Sequence, residues 1–473
     1  MKTYCIYTAL IYTNYKYHIG HLYELIIANI LYNYIKIWYK TKLIAGTDDH
    51  GLKIESRGKI LNVSPEKITN INTNKLLAIT TKFRIPIKEW IRTSKIRNIK
   101  LTINKFKKLI RIKKWVYKLC YCGWYSPIDD VFCCDDNISF SNNNMYVWNN
   151  QPVEWVEEEG LFLDYNKLRR KIMAIYRAKI IRTPNIKDST VYKIVNDAKS
   201  VCITRKKSTD YGLKFKTLNN NKFVLWVWID ALIAYINSNG KNKIHIIGKD
   251  IINFHLTYYI AMALILNVKL PKIIYLHHHI KCKSTKVSKS LNNRLIAFEN
   301  LPKSVIYYIL CSKSNKTDIE INQFETAKAS SGLIKNIGNL VKRLSKLINL
   351  NGIKLQQLTT SDWISLIYIK HIDKIVKHNL YLFKFNAIIK TLLRQSSRVN
   401  TKISNYKLWY NKNVKHKLYI YSHVTSFILF WFKPIIGKKS DVMIKNMFCG
   451  NWRYLPFENN YNTNLNKQLM CLS

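Results

Sequence analysis

The chain opens with two apolar strands joined by a long helix, which commits it to a parallel α/β sheet. Residues 4–12 (YCIYTALIY) are almost continuously apolar and read as a buried strand. A helix follows over about 18–39, with Leu22, Ile26, Ile27, Ile30, Leu31 and Tyr34 at helical spacing. A second strand over 42–45 runs into GTDDHG. Polar residues therefore stand at the C-terminal ends of both strands, where open parallel sheets bind their ligands.

Further along, residues 66–119 read as helical and very basic. Residues 120–165 change character, to Cys, Trp, Asn and short β-like runs with clustered acids, and read as an insertion with its own small sheet. Buried strand and helix patterns return over 223–265. From about 326 onward only helical periodicity is present, and no internal repeat is visible. At 473 residues the chain has room for about three domains. An apolar fraction of 48% excludes a disordered basic tail, and 14 glycines exclude a collagenous class.

The formal charge of +49 suits a polyanionic partner, nucleic acid above all. Lys, Ile, Asn and Tyr are abundant together, however, and all have A/T-rich codons, so coding bias explains the charge equally well at this point. The ten cysteines scatter and no signal peptide is recognisable. The two most apolar stretches, 223–236 and 418–436, are interrupted by Asp230 and by His423, Thr425 and Lys433, so neither reads as a membrane span. The expectation is a soluble, cytoplasmic protein in a reducing compartment.

Two motifs carry chemistry. His18-Ile19-Gly20-His21 opens a helix after a strand, where free N–H groups and a partial positive charge favour phosphate. Gly20 lets a nucleotide come close to the backbone. Far downstream, Lys286-Val287-Ser288-Lys289-Ser290 forms a cationic, hydroxyl-rich loop suited to a triphosphate. Each is weak alone.

Together, HIGH and a KMSKS-like loop resemble the class I aminoacyl-tRNA synthetases, and the neighbouring residues narrow the likeness to the methionyl-tRNA synthetase family. AGTDDHGLKIE (45–55) is similar to the family's TGTDEHGxKIE. GWYSPIDDVF (123–132), PVEWVEEE (152–159), VWIDALIAYI (227–236), HIIGKDIINFH (245–255), KVSKSLNN (286–293) and GNLVKR (338–343) follow in family order. The resemblance spans essentially the whole chain. It implies a Rossmann-type catalytic domain in two halves, 1–112 and 201–265, around an inserted connective domain, 113–200. A stem-contact region, 266–325, and an all-α anticodon-binding bundle, 326–473, follow.

The resemblance also assigns roles. His18, His21, Lys286 and Lys289 would be catalytic, with ATP contacts from His18, Gly20, His21, Glu24, Gly248, Asp250, Val287 and Lys289. Asp48 would hold the α-ammonium of methionine and Arg205 would lie near its carboxylate. Ala9, Leu10, Tyr12, Trp228, Ala231, Tyr235, Ile251 and His255 would line the side-chain pocket, where aromatic rings suit a thioether. Asn339 and Arg343, four apart on one helix face, and Trp409 would read the anticodon of tRNA(Met). ATP with Mg2+ is the implied cofactor, and a monomer is the expected state.

Several positions depart from the family pattern. The insertion holds Cys120, Cys122, Cys133 and Cys134 without a CxxC pair, so no zinc is expected. Tyr15 and His278 replace glycines, Val287 replaces Met, Asn292 replaces Gly, Tyr259 replaces Trp, and Leu408 replaces the Pro before the anticodon Trp. Two other readings stand beside the methionine enzyme. One is a tRNA-binding protein that has lost catalysis. The other is a sister synthetase, although the Leu, Ile and Val relatives carry an editing insertion absent here. Lys289→Ala should slow adenylate formation by about 100-fold or more while leaving methionine binding intact. An unchanged rate of ATP–pyrophosphate exchange would remove Lys289 from the chemistry.

Overall fold

The structure is a computed structural model that describes residues 2–112, 114–126, 131–133, 138–140, 146–148, 151–205, 210–216, 222–238, 240–282, 285–286, 303–312, 317–320, 332, 334–353, 363–409 and 414–447. The chain divides into two compact units. One takes residues 1–17 and 39–276, the other 18–38 and 277–473.

The first unit is built on a five-stranded sheet in the order Ile273–His277, Lys243–Gly248, β1 (Thr3–Tyr12), β2 (Lys40–Asp48), β3 (Ile87–Arg92). β1 pairs in parallel with both β2 and Lys243–Gly248, and β2 pairs in parallel with β3. β1 lies at the centre with Tyr4, Ile6 and Tyr7 fully buried, which is why its sequence lacks alternation. Strand order reverses at β1, whose neighbours are the next strand in sequence and one more than 200 residues later. That reversal opens a crevice at the strand C-termini. Tyr12, Asp48 and Gly248 are the residues that end the three strands there.

The region 66–119 is not continuously helical. Helix Pro65–Lys82 starts on a Ser64 cap with Pro65 in its first turn, and helix Ile96–Arg111 ends it, but β3 lies between them. β3 is a six-residue edge strand with Ile91 as its one fully buried residue, so no period of two stands out in the sequence. Pro86, just before it, is the helix-breaking signal. Residues 116–126 are likewise a strand, and they pair antiparallel with Glu154–Leu163 over a ten-residue register, Val116↔Leu163 to Tyr125↔Glu154. With Val131–Phe132 and Val201–Cys202 they form a separate four-stranded antiparallel sheet.

In the second unit the helix Ile19–Ile35 is buried on nearly every side. Its Asn29 amide donates to the Tyr307 hydroxyl at 2.5 Å, and its Tyr34 hydroxyl donates to the Trp431 carbonyl at 3.0 Å. Beyond residue 326 the described residues are helical throughout their regular elements, from Asn339–Leu350 to Lys439–Met447. The apolar stretch 418–436 falls within helix Lys415–Ile436, which is buried within this unit. Among the described residues no helix is long and apolar enough to cross a membrane.

Gly46 in β2 faces Leu10 on one side and Ile91 on the other. A Cβ there would lie on the Ile91 carbonyl oxygen and 2.7 Å from Leu10 Cδ2. Because the obstacle is backbone, Gly46→Ala should cost about 1–3 kcal/mol. A thermal melt should show a fall of several degrees, and an unchanged midpoint would contradict this packing.

Candidate active site

In the first unit, candidate residues gather at the C-terminal ends of the parallel strands. The β1–β2 register shifts between Tyr7 and Leu10. Just past that irregularity the Leu10 N–H donates to the Tyr235 hydroxyl at 2.7 Å. Tyr12, at the end of β1, stands opposite Asp48, at the end of β2. Gly51 follows at φ +115, and a Cβ there would sit 2.8 Å from the Tyr12 hydroxyl. Only glycine meets both conditions.

Three carboxylates are buried here. Asp49 accepts from Arg92 Nε at 2.7 Å, Ser94 Oγ at 2.7 Å and Thr13 Oγ1 at 3.2 Å. Asp230 Oδ2 meets His50 Nδ1 at 2.8 Å. Asp48 accepts from Thr93 Oγ1 at 3.4 Å, and no basic side chain pairs with it among the described residues. Burial, then the Asp230 and Asp49 charges, push the Asp48 carboxyl well above the ordinary range. Burial also raises Asp230, against the pull of His50. A carboxylate so placed takes a proton or a cationic ligand.

Helix Val227–Asn237 brings up the aromatic wall. Trp228 lies flat on Phe254, with centroids 4.2 Å apart and planes 8° apart. Ala231 and Tyr235 are buried on the same helix. Tyr235 meets His255 edge-on at 5.4 Å and His245 at 5.2 Å. His255 donates through Nδ1 to the Ile251 carbonyl at 3.1 Å. Burial lowers its pKa to about 4, so the ring is neutral at physiological pH. That tautomer leaves Nε2 as a bare, buried acceptor with no hydrogen-bond partner among the described residues. His245, whose Nε2 lies 3.4 Å from the Tyr259 hydroxyl, joins this cluster, although sequence reading did not single it out. Its place two residues after Lys243 in a buried strand gave no polar signal. His50 was also missed as an Asp230 partner, since nothing in GTDDHG says which helix it faces.

Other candidates are placed less centrally. Ala9 is buried, and Gly248 ends its strand with Asp250 exposed just beyond. Arg205 is buried: its guanidinium donates to the Thr204 and Cys202 carbonyls at 3.0 and 3.3 Å and lies over the Trp226 ring at 4.9 Å. The same guanidinium lies 5.4 Å from the Phe132 ring centroid and 6.0 Å from that of Tyr125.

In the second unit His18 is the N-cap of helix Ile19–Ile35. Its Nδ1 accepts from the Gly20 N–H at 3.1 Å, and His21 Nδ1 accepts from the His18 N–H at 3.1 Å. The two ring centroids lie 3.8 Å apart with the planes tilted by 30°. With both Nδ1 atoms accepting, each neutral ring carries its proton on Nε2 and acts as a donor there. A Cβ on Gly20 would lie 2.8 Å from His18 Cε1, so glycine is what lets the His18 ring fold back. Glu24 Oε2 pairs with His277 Nε2 at 2.9 Å, and His277 Nδ1 donates to the His278 carbonyl at 3.2 Å. The three successive histidines therefore serve separate ends, because His278 and His279 lie past the strand and face Asp318.

Asn339 is exposed at the start of helix Asn339–Leu350. Arg343 lies over the Trp409 ring at 5.3 Å and donates to Asn400 Oδ1 at 3.3 Å and Ser404 Oγ at 3.1 Å. Lys286 is in a short strand, while Val287 and Lys289 lie outside the described residues. Cys120 and Cys122 are exposed and Cys133 is buried, and Cys134 lies outside the described residues. Among the described residues no group of three or more His, Cys, Asp or Glu is arranged to hold a metal.

The profile of the family described as tRNA synthetases class I (M) matches residues 4–142 and 138–345. The chain is similar to the methionine–tRNA ligase of Rickettsia conorii, with 26% identity over 94% of this chain and 93% of that one. It is similar to that of Rhizobium meliloti at 27% over 72% and 70%. Its fold is like that of Mycobacterium tuberculosis methionyl-tRNA synthetase in complex with methionyl-adenylate, with a TM-score of 0.85 at 21% identity over 96% of this chain and 97% of that one.

Asp48 is protonated in the empty protein at pH values where an unfolded carboxyl, near 4, is already ionised. Its ionisation therefore costs stability as pH rises above about 4. Asp48→Asn should raise the melting temperature of the ligand-free protein at pH 8, with the gain vanishing toward pH 4. An equal gain at both pH values would show that Asp48 is not the source.

Proposed function

The chain belongs to the class I tRNA synthetases (M), and from that membership we propose that it is a methionine–tRNA ligase. The observation that carries this reading is the buried Asp48 carboxyl, pushed up in pKa and unmatched by a basic side chain, at the C-terminal end of β2 opposite Tyr12 and within the field of Asp230 from helix Val227–Asn237. The α-ammonium of an amino acid is the cation it requires. A wall of Trp228, Tyr235 and neutral His255 suits an uncharged thioether, and Asp48 would take the ammonium end.

The methionine carboxylate attacks the α-phosphorus of ATP, and pyrophosphate leaves as methionyl-adenylate forms. A ribose hydroxyl of the tRNA 3′-adenosine then attacks the activated carbonyl, and AMP leaves. Such transfer needs positioning and charge stabilisation more than covalent help. The Nε2–H groups of His18 and His21 are suited to donate to phosphate oxygens as charge develops. Lys286 and Lys289 would add positive charge to the same triphosphate. Gly248 and Asp250, the latter an exposed carboxylate past a strand end, suit the ATP ribose. Mg2+, brought in with the nucleotide substrate, would help neutralise its phosphate charge. Asn339, Arg343 and Trp409 would read the anticodon of tRNA(Met), with the Trp409 ring taking an unpaired base.

Amino-acid-dependent ATP–pyrophosphate exchange tests this. Exchange with methionine alone is the expected result. No exchange with any amino acid would leave a tRNA-binding protein without catalysis, and exchange with a different amino acid would make the chain a sister enzyme.

A further inference from the structure

Helix Phe385–Asn405 ends in a turn that exposes two aromatic rings. Tyr406 is the C-cap, and Lys407 follows at φ +43, in the left-handed region. The Lys407 N–H donates to the Ser404 carbonyl at 3.0 Å and the Leu408 N–H to the Ile403 carbonyl at 3.4 Å. That pair of bonds, with Leu408 and Ile403 both buried, is a Schellman ending. It accounts for Leu408 in place of the family's Pro, because proline has no N–H for the second bond. Leu408 is drawn inward and its two near neighbours are turned out: Tyr406 is 46% exposed and Trp409 45%.

Each ring is backed by a cation. Lys417 Nζ lies 3.7 Å from the Tyr406 centroid, and the Arg343 guanidinium lies 5.3 Å from that of Trp409. A cation held over one ring face leaves the opposite face as the one a base can stack on. The surroundings suit a polyanion, since no Asp or Glu occurs between Asp373 and Asp441. We propose that Tyr406 is a second stacking platform, beside Trp409, for an unpaired base of the tRNA anticodon loop. The inference rests on the reading of the chain as a tRNA-charging enzyme and adds to it a residue outside the motifs that suggested that reading.

Steady-state methionylation of a tRNA(Met) transcript tests it. Tyr406→Ala should raise KM for tRNA about 5- to 100-fold with kcat little changed. Tyr406→Phe, which keeps the ring, should restore the parent value. Tyr406→Leu, which keeps bulk without a π face, should behave like Ala, and melting temperatures would separate this effect from misfolding. A KM within twofold of the parent for Tyr406→Ala, or equal behaviour of the Leu and Phe variants, would overturn the platform. A parent protein that charges no tRNA while Trp409→Ala binds it equally well would overturn the underlying reading instead.

Discussion

A buried carboxylate requires a positive partner, and the first unit buries three of them together. Asp49 has Arg92 and Asp230 has His50. Asp48 has the His50 backbone N–H, a hydroxyl at 3.4 Å and two like charges close enough to raise its pKa. The neighbours matter here because they are fixed: each is tied to its own partner and cannot turn away. The Asp48 carboxyl is therefore held toward its protonated form. This group stands at the C-terminal end of β2, beside the point where strand order reverses, which is where open parallel sheets bind their ligands. The aromatic wall then has little to do for charge. It supplies volume, a flat surface from Trp228 on Phe254, and a neutral imidazole acceptor.

The helix Ile19–Ile35 solves a different problem. A helix that starts with free N–H groups must satisfy them, and the usual capping residues are absent at its start. Its two histidines do so themselves, through a reciprocal pair of backbone bonds. The consequence is chemical: using Nδ1 for capping fixes both tautomers and leaves both Nε2–H groups as donors. Gly20 belongs to this arrangement as much as to any approach of a nucleotide, since any side chain there meets the His18 ring. Spacing alone suggested two imidazoles near a phosphate site, and the geometry explains why they must be three residues apart with glycine between.

Much of this was legible in the sequence where a segment answers to one constraint. β1 is apolar throughout because it is central, and the long C-terminal helices show their period because one face is buried. β3 was not legible, because an edge strand of six residues with a single fully buried side chain has too little pattern to distinguish it from the basic helices around it. Asp48 could be named from its motif, but its isolation could not: that depends on Thr93, Arg92 and Asp230, which lie 44 to 182 positions away and whose pairing is set only by the fold. Arg205 could likewise be named from its segment, but its contacts with the Thr204 carbonyl and the Trp226 ring are set only by the fold.

The charge of +49 can now be read by where the acids are rather than by how many bases there are. Coding bias toward lysine would act along the whole chain, so it accounts for a high background of positive charge but not for the positions of the acids. Those described here sit largely where an ionic or hydrogen-bond partner depends on them: Asp49 with Arg92, Asp230 with His50, Glu24 with His277, Asp318 with Lys281. Removing one member of a buried pair leaves the other uncompensated, at a cost of about 3–5 kcal/mol. The stretch between Asp373 and Asp441 holds no acid, and the ion pairs described for its bases, Lys377 with Asp373 and Lys433 with Asp441, are made with the acids at its two ends. A surface of that kind repels nothing anionic, and its exposed rings, each with a cation on one face, give a polyanion's bases somewhere to stack. Bias sets the level of the positive charge, while the fold decides where it goes unopposed.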